Sequence, residues 1–151
     1  MASSILVVDD DPDTRILLSE FLTGHGFIVH VARDGRHALQ LLAHLAPPDL
    51  ILLDYQMPVM SGKHFLARRR RNPRLRRIPV VLLSAWTRVW SPTGHDAVEV
   101  LSKPVDPDRL LTLVQRICAG AAELQSHERA TDRFRRSIPS RTPETEAARR
   151  S

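Results

Sequence analysis

Four short runs of Val, Ile and Leu in this 151-residue chain are each followed by a polar group suited to chemistry. Asp9 and Asp10 follow the first, Asp54 follows Leu50 to Leu53, Ser84 follows Pro79 to Leu83, and Lys103 follows Val98 to Leu101. In an open parallel α/β sheet, ligands sit beyond the carboxyl ends of the strands, near the point where strand order reverses, so these residues are expected to converge. Three carboxylates brought together in a partly desolvated site repel one another, and a hard divalent cation with oxygen ligands relieves that repulsion. Mg²⁺ suits the set, because it accepts a few protein oxygens together with water and phosphate oxygens. A carboxylate can also accept a phosphoryl group as an acyl phosphate, and Asp54, at the end of the central strand, is the best placed to do so. The Ser84 hydroxyl and the Lys103 ammonium could then each serve a phosphoryl oxygen.

The elements that must position these groups follow from the hydrophobic pattern. Apolar runs of strand length alternate with stretches of helical spacing, as a buried parallel sheet with crossover helices requires. Ile5 to Val8 reads as the first strand. Asp11 caps the helix that follows, Pro12 opens it, and Ile16, Leu17 and Phe21 are expected on its apolar side, with Gly24 and Gly26 ending it. Phe27 to Val31 reads as a second strand, Asp34-Gly35 as a cap, and Ala38, Leu39, Leu41, Leu42 and Leu45 as the stripe of a second helix. Leu50 to Leu53 is apolar throughout, which fits a central strand. A turn-rich stretch from Tyr55 to Gly62 leads to a third helix over 63–71, where Gly62 is read as a turn residue. Between 85 and 96 only a short, irregular fourth helix fits. Asp106 and Pro107 start a last helix with Leu110, Leu111, Leu113, Val114 and Ile117 facing inward.

These assignments give a doubly wound, five-stranded parallel sheet, a domain over 1–120, and a frayed helical extension with a disordered tail over 121–151. A chain of this length can bury a real core without a disulfide or a structural metal. Cys118 is the only cysteine, which rules out a disulfide framework and a cysteine zinc site. The seven His are scattered without metal-ligand spacing. No apolar run approaches the ~20 residues that span a bilayer, so a soluble cytoplasmic protein is expected.

The stretches ILVVDDDPDTR (5–15), LILLDYQMPVMSG (50–62), IPVVLLSA (78–85) and LSKPVD (101–106) together resemble the receiver domain of bacterial two-component response regulators. The resemblance implies the flavodoxin-like strand order 2-1-3-4-5. It also implies phosphorylation of Asp54 by a histidine kinase or a histidine phosphotransfer protein. Mg²⁺ would be held by Asp10, Asp54 and the backbone carbonyl of Gln56, with Asp9 acting partly through water. Ser84 and Lys103 match the family's phosphate-sensing hydroxyl and lysine, and a cis peptide is expected at Lys103-Pro104. Two features depart from the pattern. Val100 stands where the family usually has an aromatic residue, and the segment between Ser84 and Lys103 is short, so switching is expected to use a loop around Trp86.

The residues after Ile117 are too few and too polar for a DNA-binding or catalytic output domain, so a stand-alone module signalling through protein contacts is expected. The alternative is an Mg²⁺-dependent aspartyl-phosphate phosphatase of the haloacid dehalogenase type. Its D-x-D-x-T motif fits Asp9 to Thr14 poorly, and no cap segment is evident. Seven arginines between Arg68 and Arg77 raise the question of nucleic acid. They fall at a helix carboxyl end without interleaved aromatics, so a solvated helix terminus is the expectation and nucleic-acid binding is not.

Overall fold

The computed structural model describes residues 2–85 and 99–137. Trp86, the irregular fourth helix and the disordered tail beyond 137 fall on residues outside that range. The elements are β1 (Ser4–Val8), α1 (Pro12–Gly24), β2 (Ile28–Ala32), α2 (Gly35–His44), β3 (Leu50–Asp54), α3 (Gly62–Arg71), β4 (Val80–Ser84), β5 (Glu99–Ser102) and α4 (Pro107–Ser137). The strands form one parallel sheet in the order β2-β1-β3-β4-β5, as the doubly wound reading requires.

Side chains alternate between the two faces of each strand, and this divides the core in two. Ile5, Val7, Leu50, Leu52, Val81 and Leu83 pack under α1 and α4, where they meet Leu18, Leu22, Leu110, Leu113 and Val114. Leu6, Val8, Ile51, Leu53, Val80 and Leu82 pack under α2 and α3, where they meet Ala38, Leu42, Phe65 and Leu66. β3 is buried at every position because it lies between β1 and β4 with helices on both sides. That explains its uninterrupted apolar sequence.

Capping follows the sequence closely. The Asp11 carboxylate accepts from Thr14 N, Asp34 from His37 N, and Ser61 Oγ from His64 N. Asp106 accepts from Asp108 N at 3.0 Å at the start of α4. The bond at Lys103-Pro104 is cis, as the resemblance implied.

Three expectations need correction. β2 and β4 begin and end one residue later than the apolar runs suggested, because Phe27 and Pro79 lead into the ladder without belonging to it. On α1 the buried residues are Leu18 and Leu22, whereas Ile16 and Leu17 are 55% and 67% exposed. The helix turns Leu18 and Leu22, four apart, toward the sheet, and that leaves the two preceding apolar residues facing outward. The helical extension expected after Ala121 is present as the continuation of α4 to Ser137. An Asp132–Arg136 pair at 3.0 Å, one turn apart, supports its last part. The arginine segment is not wholly solvated. Arg69 is 4% exposed and its guanidinium donates to the Ile78 and Arg76 carbonyls, while Arg74 donates to Leu42 and Leu45 carbonyls at the end of α2.

Among the described residues, no helix is long and apolar enough to cross a membrane.

Candidate functional site

β1 and β3 are neighbours in the sheet although not in sequence, and Val8 pairs with Leu53. This is the reversal in strand order, and it sets Asp9 and Asp10 beside Asp54 at the carboxyl edge. Ligand atoms of Asp9, Asp10 and Asp54 all lie within 4.8 Å of one another. β4 and β5 complete the edge. Tyr55 N donates to Leu83 O, and Lys103 N donates to Ser84 O at 3.0 Å, so each strand end is tied to the next.

Asp9 is fully buried and held on every side. Its backbone N–H donates to Ala32 O at 3.1 Å, and its carbonyl accepts from Arg15 Nη1 at 2.8 Å. Its Oδ1 accepts from Asp11 N and its Oδ2 from Lys103 Nζ, both at 2.9 Å. Asp10, by contrast, is exposed. Asp54 is 5% exposed, and its Oδ1 lies 3.3 Å from Lys103 Nζ and 3.4 Å from Gln56 N. Ser84 is 6% exposed at the end of β4. Gln56 is exposed two residues beyond Asp54. The structure therefore brings Asp9, Asp10, Asp54 and Lys103 together, with Ser84 and Gln56 on the same edge.

The electrostatics follow from that crowding. Burial, then the charge of Asp9, pushes the Asp54 carboxyl up to about 6, although Lys103 works against the rise. Burial pulls the Lys103 ammonium down, but its hydrogen bond to Asp9 and the charges of Asp9 and Asp54 outweigh that and hold it above its usual value. A single ammonium thus faces two carboxylates within 3.3 Å, with a third close by. Such an arrangement has capacity for further positive charge, and three carboxylate oxygen donors are the chemistry a hard divalent cation prefers.

One supporting residue was not singled out from the sequence, and a second was read in a different role. Arg15 sits in the second turn of α1, near the positive end of the helix dipole, where a cation is disfavoured unless it has a specific acceptor. That disfavoured placement is the signal that could have marked it, and the Asp9 carbonyl is the acceptor. Gly62 was read as a turn residue, yet it is the first residue of α3 and its role is close approach. A Cβ there would lie 2.9 Å from both Asp54 O and Tyr55 Cα. Val59, in the loop between β3 and α3, has φ 66° and is 78% exposed, an unfavourable backbone for a β-branched residue. Beside Lys103 an open, largely apolar hollow of about 710 Å³ is lined by Leu17, Leu18, Phe21, Pro104 and Val105. Val100, which replaces the aromatic residue, is half-buried against the α2 and α3 side of the core.

Residues 5–115 match the response regulator receiver domain family. The chain belongs to that family. It is 41% identical over 117 residues to an uncharacterised 14.6 kDa protein from Leptolyngbya boryana, covering 76% of this chain and 88% of that protein. It is 38% identical over 125 residues to the regulatory protein AtoC of Escherichia coli, covering 81% of this chain but only 26% of that larger protein. Among solved structures, the chemotaxis protein CheY4 of Vibrio cholerae superposes with a TM-score of 0.70 at 32% identity, covering 78% of this chain and 99% of that one. The receiver resemblance and the flavodoxin-like order are thereby established, and the haloacid dehalogenase alternative loses its basis.

Proposed function

We propose that this receiver accepts a phosphoryl group on Asp54 from a histidine kinase or a histidine phosphotransfer protein, with Mg²⁺ bound, and signals in the cytoplasm through protein contacts. The observation that carries this reading is the convergence of three carboxylates within 4.8 Å around one ammonium, with Asp54, at the end of the central strand β3, opposite Lys103. The donor set suits Mg²⁺ through Asp10, Asp54 and the Gln56 carbonyl, with Asp9 contributing partly through water. When bound, the ion supplies positive charge against the phosphoryl oxygens and the ionised carboxylates.

The remaining roles belong to the protein's own side chains. An ionised Asp54 oxygen attacks phosphorus, the N–P bond of the donor phosphohistidine breaks, and the released imidazole takes up a proton. Lys103 pairs with one phosphoryl oxygen and so exchanges part of its contact with Asp54 for one with the product. The Ser84 hydroxyl donates to another. Asp9, held by Arg15 and Asp11, keeps the far side of the site rigid. The hollow between α1 and the Lys103–Val105 segment supports approach of an apolar partner surface to the same edge.

The reading is tested by incubation with Mg²⁺ and acetyl phosphate, followed by intact mass measurement. A gain of one phosphoryl group that requires Mg²⁺ and is lost in Asp54→Asn supports it. Absence of any gain across small donors and phosphohistidine proteins would overturn it.

A further inference from the structure

Far from the carboxylate edge, the fold joins two arginine-rich segments that are separate in sequence. The first is the end of α3 and the loop after it, where Arg68, Arg70, Arg71, Arg76 and Arg77 are exposed and no acidic residue occurs. The second is the last half of α4, where Arg129, Arg133, Arg135 and Arg136 are exposed among three acids, Glu123, Glu128 and Asp132. Arg77 Nη1 lies 3.5 Å from Glu128 Oε1, and Gln125 donates to Asp49 just ahead of β3. These contacts set both segments at the amino-terminal end of the sheet, beside a groove of about 770 Å³ whose polar lining is Asp49, Arg74, Arg77, Arg116, Gln125 and Glu128.

We infer that this end of the protein is a binding surface for the sugar–phosphate backbone of duplex nucleic acid, engaged without regard to base sequence. Helix-dipole compensation accounts for a cation or two in the last turn of each helix. It does not account for Arg76 and Arg77 in the loop or for Arg129 two turns before the end of α4. Exposed guanidinium groups so close repel one another, and phosphates relieve that repulsion with bidentate geometry. Arg69 and Arg74 are bonded to carbonyls, and Arg77 and Arg136 each pair with an acid of α4, so the proposed contacts fall mainly on Arg68, Arg71, Arg76, Arg129 and Arg133.

Arg129, Arg133 and Arg136 follow i, i+4, i+7 spacing and share one helix face. They extend along about 10 Å of axis, which matches about three nucleotide steps of one strand. After Ala121 every residue of α4 whose side chain is described is exposed, Leu124 included at 70%. Among its described side chains this half of the helix therefore shows no continuous apolar face of the kind that insertion into a membrane surface would need. The described parts of both segments expose no aromatic platform for unstacked bases, which favours a duplex over a single strand.

The test is fluorescence anisotropy of a labelled duplex of about 20 base pairs and mixed sequence with the full chain, from about 50 to 200 mM salt. Binding should weaken with salt with a log–log slope of about −4 to −6. Replacement of Arg68, Arg71 and Arg76 by Gln, or of Arg129 and Arg133 by Gln, should each weaken it about tenfold and flatten the slope. The matching Lys variants should retain most of the binding, and circular dichroism confirms that each variant is folded. No binding at 50 mM salt, or an effect confined to one segment, would overturn the inference. So would equal or tighter retention by phosphatidylserine vesicles, poly-glutamate or a single strand, each of which would reassign the surface. Phosphoryl labelling of Asp54 is read separately, so failure of either result leaves the other standing.

Discussion

Lys103 and Asp9, 94 positions apart in sequence, form a 2.9 Å ion pair at the carboxyl edge of the sheet, with Asp54 3.3 Å from the same ammonium. Lys103 is thus the only cation described within 4 Å of carboxylates that the strand order forces together. Lys103→Met should destabilise the divalent-free protein by about 2–3 kcal/mol, because it leaves the buried Asp9 charge without its partner. Added Mg²⁺ should recover more stability in this variant than in the parent. Urea unfolding with and without Mg²⁺ checks both statements.

The Asp54 carboxyl carries the opposite sign. Its value in the folded protein, about 6, lies above the ordinary 3.8. A group raised in this way contributes its stability fully below the unfolded value and loses it as pH rises through the folded one. Without divalent ions, Asp54→Asn should therefore stabilise the protein at pH 7.5 by about 1–2 kcal/mol. The difference should disappear below about pH 3, where the carboxyl is neutral in both states. Unfolding free energies measured across that interval decide it, and a loss of stability at pH 7.5 would contradict the electrostatic account.

Gly62 sets how closely α3 approaches the end of β3. The added methyl of Gly62→Ala would meet Asp54 O and Tyr55 Cα at 2.9 Å, and backbone atoms yield little. A cost of about 1–3 kcal/mol is expected, together with slower phosphoryl uptake as the carbonyl of Asp54 is displaced. Gly120→Ala, whose Cβ would meet nothing within 4 Å, is the control and should leave both unchanged or slightly improved.

Arg69 is a structural residue inside a run of exposed ones. Arg69→Ala should cost about 2–4 kcal/mol by leaving the Ile78 and Arg76 carbonyls without their donor. Arg68→Ala, at an exposed position, should stay within about 0.5 kcal/mol. Thermal unfolding of the pair separates the two roles.

Val59, with φ 66°, is the reverse case. Val59→Gly should raise stability by up to about 1 kcal/mol through relief of backbone strain, less the added freedom of the unfolded chain. Denaturant titration of this variant provides the check.

The strands and the membership of the carboxylate cluster were legible because they rest on apolar runs that end in polar residues, a pattern set by the sheet, whereas the strand order followed from the family resemblance. Asp9, Asp10, Asp54, Ser84 and Lys103 could be named from that pattern alone. Side-chain direction on partly buried helices was less legible. Ile16 and Leu17 look like core by composition, but Leu18 and Leu22 carry the packing, since a helix of mixed polarity does not fix its own rotation. The arginines were opaque for a different reason. Arg69 depends on carbonyls seven and nine residues away that close only after folding, and the union of the two basic segments depends on where α4 runs. Arg15 and Gly62 act through backbone atoms, which no side-chain pattern records.

The central claim is that Asp54 is the phosphoryl acceptor. After Mg²⁺-dependent phosphorylation, borohydride reduction and proteolysis, peptide mass spectrometry should find homoserine at position 54 and intact aspartate at positions 9 and 10. Homoserine at position 9 or 10, or phosphoryl incorporation undiminished in Asp54→Asn, would contradict the account.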